Sequence, residues 1–368
     1  MLEIENSRYL PSLVCLDADG TPLTGRAALQ RAVNRPDLTE RAPKRALVRQ
    51  DGVILGERRV STAELAAAVL RRTLTEAQAV HGGSAPSRTV LTHPARWGAA
   101  ERTRLGEAAA LAGIDGPEYL PEPVAAALHH AEAGEVPEGD CLAVYDLGGG
   151  TFDTAVLRRT SNGFTTVAVG GDPHLGGEDL DECLAALLAE RAEARDPLPW
   201  DELWGSAEPG QVAQRALLRR ELTAAKEALS TASSVDLAVP GYPEPFLIRS
   251  HEYRSAVEPL LARSHDLLTA TVREAGLEPA ALHAVVLTGG ASRTPRVSDL
   301  IAEREQRLPL LTADPKASVV LGALSSGLVV TVPAEGPADA GARPGEPRRA
   351  LRYFQPAGDP DFEFSPYD

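Results

Sequence analysis

The hydrophobic pattern switches between a two-residue and a 3.6-residue period along most of the chain. In the first third it predicts strands at residues 12–18, 87–94 and 117–123, and helices from Thr24, from Ser61, at 99–113 and at 124–134. Three strands then form a predicted antiparallel meander at 141–171. Later come helices at about 178–193, 210–232 and 252–275, a strand at 283–290, a helix from Thr294 and a last helix through 319–329. Because strands and helices alternate in both halves, the pattern predicts an α/β fold in each half.

The chain has 368 residues, which is enough for two cores of ordinary domain size. We predict a first lobe at 1–138, a second at 139–330 and a Pro- and Gly-rich tail at 331–368. The tail is poor in aliphatic residues, so its composition predicts disorder. It nevertheless holds several aromatic residues, and we expect this segment to dock on its own lobe or to present a short aromatic motif to a partner. These residues are Tyr353, Phe354, Phe362, Phe364 and Tyr367.

Charge and cysteine content narrow the function classes. The formal charge of -15 is spread along the chain without a basic block, so we expect no nucleic acid partner. No apolar run reaches about 18 residues and no signal peptide is evident, so we expect no membrane contact and a cytoplasmic protein. Cys15, Cys141 and Cys183 are far apart and are expected to be reduced core thiols.

The segment between the first two meander strands has the most specific chemistry. Three glycines, Gly148 to Gly150, permit positive φ angles and let a phosphate approach backbone N–H groups. Asp146 and Asp153 flank this turn, and they could hold a hydrated Mg²⁺ or orient a water molecule. A structural glycine-rich bulge without chemistry is the alternative.

Residues 145–153, YDLGGGTFD, resemble the second phosphate motif of the seventy-kilodalton heat-shock chaperones, the DnaK-like family. The resemblance implies the two-lobed actin-like ATPase fold, which is ribonuclease H-like, with ATP or ADP and Mg²⁺ in the cleft. It also implies that Gly148, Gly149, Gly150 and Thr151 contact phosphates. Asp146 and Asp153 would lie near the metal, which they would contact through water.

The motifs on either side extend the resemblance. Residues 120–127, LPEPVAAA, are similar to the segment whose glutamate places the attacking water, which implies that role for Glu122. Residues 172–179, DPHLGGED, resemble the phosphate-contacting segment before a helix, which implies contacts by Gly176, Gly177 and Glu178. Lys44 aligns with the family's catalytic lysine. The implied catalytic residues are Lys44, Glu122, Asp146 and Thr151.

Two further segments resemble the family's nucleoside contacts. Residues 285–296, VVLTGGASRTPR, look like the adenosine motif, with Gly289 and Gly290 flat against the nucleoside and Arg293 stacked on adenine. Residues 224–230, AAKEALS, resemble the helix that contacts adenine and ribose, which implies roles for Lys226 and Ser230.

The sequence also departs from the family at the nucleoside end. Glu227 stands where the family has its adenine-stacking arginine, Thr223 where it has a glutamate, and Lys316 where it usually has an aspartate. Adenine preference is therefore a weaker expectation than phosphate binding.

The resemblance implies a chaperone-like ATP-binding protein, with slow hydrolysis coupled to lobe closure. The alternative is a non-hydrolytic nucleotide sensor or scaffold. Sugar kinases of the same fold are disfavoured because no sugar-site signature is evident. No β-rich peptide-binding domain follows residue 330, so we expect a protein partner rather than a chaperone that acts alone.

The family's first phosphate loop, an Asp-Leu-Gly-Thr-Thr motif on a hairpin, has no counterpart here, so the first lobe is expected to be N-terminally incomplete. We expect this hairpin to be encoded upstream of Met1, because its strand lies inside the lobe's sheet. On this hypothesis residues 2–5 are the end of a strand.

Overall fold

The computed structural model describes residues 2–49, 51–134, 136–312 and 314–326, and all of them belong to one compact unit. The predicted tail at 331–368, with its aromatic residues, lies outside these ranges. Among the described residues, no helix is both long and apolar enough to cross a membrane.

The secondary structure falls into a part before residue 135 and a part after it. The helices are α1 (Gly25–Asn34), α2 (Pro43–Arg49), α3 (Thr62–Val80), α4 (Ala99–Ala112), α5 (Glu122–Ala133), α6 (Gly177–Arg195), α7 (Pro197–Gly205), α8 (Pro209–Ala228), α9 (Ser250–Glu274), α10 (Pro295–Glu305) and α11 (Ser318–Ser325). The strands are β1 (Val14–Leu16), β2 (Pro22–Leu23), β3 (Thr39–Glu40), β4 (Gly52–Leu55), β5 (Arg58–Ser61), β6 (Val90–His93), β7 (Glu118–Pro121), β8 (Cys141–Leu147), β9 (Phe152–Thr160), β10 (Gly163–Asp172), β11 (Ser234–Leu237), β12 (Phe246–Arg249), β13 (Ala284–Thr288) and β14 (Leu310–Leu311). We call β1 to α5 the N-terminal part and β8 to α11 the C-terminal part.

The N-terminal part contains three small sheets and five helices. Its sheets are β2-β1-β3, the hairpin β4-β5 and the parallel pair β6-β7. Helix α3 begins close to the predicted Ser61 with a capping box, in which the Ser61 amide donates to Glu64 Oε2 at 3.2 Å. Helix α4 is closed by Gly113, the last residue of the predicted helix, whose φ of 83° is a left-handed C-cap. Local signals therefore set the boundaries of both helices, which pack against each other.

The C-terminal part is built on a five-stranded sheet of order β10-β9-β8-β13-β14. Strand β8 pairs antiparallel with β9 and parallel with β13. Both central strands are apolar along almost their whole length because helices cover both faces of the sheet. The β8–β9 register places Asp146 opposite Asp153. The polar residues that end the central strands therefore meet at one edge of the sheet.

Helices on the two faces of this sheet bury most of the core. One face packs against Leu180, Leu184 and Leu222 of α6 and α8, within a large apolar cluster. Helix α11 crosses α5 on the other side, where a Cβ on Gly322 would lie 1.7 Å from the carbonyl oxygen of Ala125. Glycine at this crossing lets the two helix backbones touch and joins the N-terminal part to the C-terminal part.

The structure confirms the predicted α/β class, the meander and the long helices. The hydrophobic pattern does not predict α2, the β4-β5 hairpin, α7 or the β11-β12 hairpin, all of which have nine or fewer residues per element. Helix α5 starts earlier than predicted, at Glu122, and its last-turn Gly134 is extended rather than left-handed, with a φ of -164°.

The predicted strand at residues 2–5 is wrong. Glu5 and Asn6 have φ angles of 57° and 60°, which form a left-handed turn. Ile4 and Ser7 make a single bridge across it. Alternation over four residues is too short to specify a strand when a tight turn follows at once.

Candidate functional site

The turn between β8 and β9 consists of Gly148, Gly149 and Gly150. The Gly148 amide donates to the carbonyl oxygen of Thr151 at 3.0 Å, which closes the turn. Within the described ranges, the amides of Gly149 and Gly150 have no acceptor. Two successive unpaired N–H groups form a backbone site for an anion.

Of the three glycines, only Gly150 has another group within 3 Å of the position that a Cβ would take. None of the three has a φ in the left-handed region, so the expected positive angles are absent. A Cβ on Gly150 would lie 2.5 Å from Nη1 of Arg45. A Cβ on Gly149 would meet no atom within 4 Å. A side chain at position 149 would therefore fill the space in front of the turn without displacing its neighbours.

The N-terminus of α6 packs directly against the turn. The amide of Gly177 donates to the carbonyl of Gly148 at 2.9 Å, and that of Glu178 to the carbonyl of Gly149 at 2.7 Å. Gly176 precedes the helix, and a Cβ there would lie 2.5 Å from the turn's backbone. These hydrogen bonds hold the turn in place, and they use the two helix amides that the resemblance assigns to phosphate.

Three carboxylates, those of Glu122, Asp146 and Asp153, converge behind the turn. Glu122 is the first residue of α5, and the two aspartates face each other across the β8–β9 ladder. All three line one cavity of about 10 Å³, which is close to the space of a single water molecule. We call these residues the acidic cluster.

Carboxylates such as those of the acidic cluster are the oxygen groups that Mg²⁺ and its bound waters contact in proteins. In the described part of the chain, no side chain donates a hydrogen bond to Asp146 and no cation lies within 4 Å of it. Burial, then repulsion by Glu122 and Asp153, raises the pKa of Asp146 to about 7, against a smaller opposing effect of Lys44. A cation would relieve this repulsion. The described residues contain no group of three or more His, Cys, Asp or Glu side chains that could hold a metal ion.

Lys44 reaches the acidic cluster from α2. Its ammonium pairs with the carboxylate of Glu122, whose side chain is only 13% exposed. The same ammonium lies 5.8 Å from the ring centre of Trp97. The structure thus brings together Lys44 and Glu122, which are 78 positions apart in the sequence.

Two arginines that the sequence analysis does not identify also reach this region. Arg45 donates to Glu178 Oε2 at 2.8 Å and to the carbonyl of Gly150 at 3.5 Å. Arg96 lies with its Nε 3.1 Å from Oδ1 of Asp153. Burial raises the pKa of Asp153, and Arg96 opposes that rise. Both arginines link the N-terminal part to the C-terminal part, and no local pattern marks them.

A second glycine turn follows β13. Gly289 has a φ of 83°, and a Cβ there would lie 2.3 Å from the carbonyl oxygen of Leu147. Only glycine fits, and its backbone lies against the end of β8. Gly290 follows. The side chain of Arg293 is exposed and lines a second, larger cavity.

Lys226 lies on α8 and Ser230 lies just after it. Both residues line the larger cavity. Lys226 Nζ donates to the carbonyl of Gly177 at 2.7 Å and lies 2.7 Å from Oδ1 of Asp181. Its side chain is 11% exposed, so it is held in place. The half-buried Ser230 is one turn further along. Asp181 is a further residue that sequence reasoning missed.

One cavity of about 770 Å³ connects the two glycine turns with α8. Its size is suited to a small-molecule ligand. It runs from the glycine turn after β8 to the glycine turn after β13 and to α8. Its lining comprises Gly149, Gly177, Glu178, Asp181, Thr223, Lys226, Glu227, Ser230, Thr231, Gly290, Ala291, Arg293, Thr294 and Lys316. The remaining motif residues lie behind this lining and support it through the contacts given above: Gly148, Gly150, Gly176, Gly289 and Thr151. The Thr151 hydroxyl donates a hydrogen bond to Asp153 at 3.1 Å.

The residues that depart from the family pattern contact each other. Lys316 Nζ lies 3.6 Å from the carboxylate of Glu227, and both residues line the cavity. The same ammonium lies 5.5 Å from the ring centre of Tyr9, whose hydroxyl donates to Asp314. An ion pair therefore borders the cavity beside the glycine turn that follows β13.

The fold is that of the actin-like ATPases. The Hsp70 protein family matches residues 37–335, which is most of the chain. The chain belongs to the Hsp70 family, as its motifs predict.

Curated relatives agree with this assignment. The chain is 36% identical over 344 residues to the "Chaperone protein HscA homolog" of Azotobacter vinelandii strain DJ, which covers 87% of this chain and 52% of that relative. It is 38% identical over 268 residues to the "Chaperone protein HscA homolog" of Pseudomonas fluorescens strain Pf-5, a match that covers 72% of this chain and 40% of that relative. The "Chaperone protein HscA" of Pectobacterium carotovorum is 35% identical over 263 residues, a match that covers 71% of this chain and 39% of that relative. The chain therefore spans about half or less of these relatives' length.

Proposed function

We propose that the chain binds ATP and ADP with Mg²⁺ in the 770 Å³ cavity and hydrolyses ATP slowly. The observation that carries this proposal is the pair of amides at Gly149 and Gly150, which have no acceptor in the described ranges, together with the open space at Gly149, which lines the cavity. The phosphates would contact this turn, and the nucleoside would lie toward Arg293, Lys226 and Ser230.

The acidic cluster and Lys44 supply the groups that hydrolysis requires. Asp146 would hold the hydrated Mg²⁺, whose chemistry is to neutralise phosphate charge. Glu122 would accept a hydrogen bond from the attacking water, and Lys44 would stabilise charge on the transferred phosphoryl group. Catalysis would rest on positioning and electrostatics, with no covalent intermediate.

We also infer a chaperone-related role, in which nucleotide-dependent closure of the predicted lobes 1–138 and 139–330 changes a surface seen by a protein partner. This inference rests on the named relatives, which are chaperones. The cytoplasm as the compartment stays a prediction.

A second candidate function is a non-hydrolytic nucleotide sensor. The ion pair between Glu227 and Lys316 favours it, because it places a carboxylate where a stacked adenine would prefer a cation. Single-turnover mixing of the protein with limiting ATP separates the two candidates. If the wild type converts bound ATP to ADP and K44A does not, the ATPase is supported. If ATP bound to the wild type stays intact, the sensor is supported.

A further inference from the structure

Each carboxylate of the acidic cluster has a different set of partners. Glu122 pairs with Lys44, and Asp153 has both oxygens in contact, Oδ1 with Arg96 at 3.1 Å and Oδ2 with the Thr151 hydroxyl at 3.1 Å. Asp146 has no partner of this kind among the described residues. The two aspartates are therefore unequal, although the β8–β9 register makes them neighbours.

Arg96 is held in place by its surroundings. It lies in a turn after β6 that is closed by the Trp97 amide, which donates to the carbonyl of Pro94 at 3.1 Å. Trp97 is buried, and its own carbonyl accepts from Arg102 at 2.8 Å. The Arg96 side chain is 31% exposed and lines the same small cavity as the acidic cluster. An arginine on this turn is placed to act as a counter-ion for Asp153.

We propose that Arg96 is a positioning residue that keeps Asp153 out of the metal's ligand shell and weakens the site's hold on Mg²⁺. The proposal rests on the proposed function, since it concerns the metal of the same site. The positive charge of Arg96 next to the acidic cluster repels a divalent cation. Arg96 also occupies Oδ1 of Asp153, which would otherwise accept a hydrogen bond from a metal-bound water. Asp146 is left as the carboxylate that receives the hydrated ion.

The test compares the full chain with R96A, D153N and the double variant R96A/D153N. Melting temperature is measured with saturating ADP across a range of free Mg²⁺, and the readout is the half-saturating Mg²⁺ concentration. We expect this concentration to fall about tenfold in R96A, because a repulsive charge is removed and Asp153 is released. In the D153N background, removal of Arg96 should have a much smaller effect, because the freed carboxylate is absent.

The matched control is R88A, which removes an exposed arginine whose partner is Glu118 on β7. It should leave half-saturation within about twofold of the wild type. An unchanged or higher half-saturating Mg²⁺ in R96A overturns the proposal, as does an equal fall in both backgrounds. The melting temperatures without ligand show whether each variant folds.

A separate measurement distinguishes failure of the nucleotide site from failure of this inference. Mn²⁺ is titrated into nucleotide-free wild type and R96A, and free Mn²⁺ is followed by electron paramagnetic resonance. R96A should bind Mn²⁺ more tightly by about tenfold, whether or not ADP binds. Equal Mn²⁺ binding refutes the role of Arg96, whereas an absent ADP effect with tighter Mn²⁺ binding refutes only the nucleotide proposal.

Discussion

Replacing Gly149 by valine tests the phosphate role of the β8–β9 turn with little cost to the fold. The φ of Gly149 is not in the left-handed region, and a Cβ there meets no atom within 4 Å. We therefore expect the free energy of unfolding without ligand to change by less than about 0.5 kcal/mol. The valine methyl groups would instead occupy the space in front of the two unpaired amides, where a phosphate must approach.

The size of the expected effect follows from mass action. A ligand at about 100 times its dissociation constant stabilises the folded state by about 2.7 kcal/mol. In a chain of this size, 1 kcal/mol corresponds to about 2 °C, so Mg·ADP should raise the melting temperature of the wild type by about 5 °C. G149V should lose this shift.

Differential scanning fluorimetry with and without Mg·ADP measures both quantities. The matched control is G134V, because Gly134 also has open space around its Cβ and an extended φ of -164°, but lies at the end of α5. G134V should keep the ligand-induced shift. An unchanged shift in G149V would refute the assignment of the turn as the phosphate site.

Three further predictions address catalysis, packing and pH. K44A should slow single-turnover ATP hydrolysis about a hundredfold while ADP affinity measured by calorimetry changes little, and equal losses of both would contradict a catalytic role. G322A should lower the free energy of unfolding in urea by about 2 to 3 kcal/mol, because its Cβ would overlap the Ala125 carbonyl, whereas G210A, in a helix with open space, should be neutral or slightly stabilising. The pKa of Asp146 is raised from 3.8 to about 7, so its ionisation opposes folding and the ligand-free wild type should lose stability between about pH 4 and pH 7. D146N should lack this part of the pH dependence in a melting series, and parallel pH profiles would contradict the assignment.

The elements that local signals define are those that the sequence predicts well. The capping box at Ser61 and the left-handed Gly113 mark helix ends, because their hydrogen bonds involve residues within one turn. The meander β8 to β10 is also predicted, since its strands are joined by short glycine-containing turns. The motif glycines lie at one cavity because β8 and β13 are neighbours in the sheet.

Contacts between distant segments account for most of what the sequence does not predict. Arg96 meets Asp153 and Arg45 meets Gly150 only after the two parts of the chain pack together. A lone arginine on a loop or short helix carries no pattern that names its partner. The expected positive φ angles at Gly148 to Gly150 are absent, and of the three glycines only Gly150 is closely packed, against Arg45 of the distant helix α2.

Direct titration of ADP into the wild-type chain tests the central claim that the cavity between the two glycine turns is a nucleotide site. Isothermal titration calorimetry with Mg²⁺ should give saturable binding at about one site per chain, and G149V should show none under the same conditions. No saturable binding by a wild type that melts cooperatively, or equal binding by G149V, would contradict the claim.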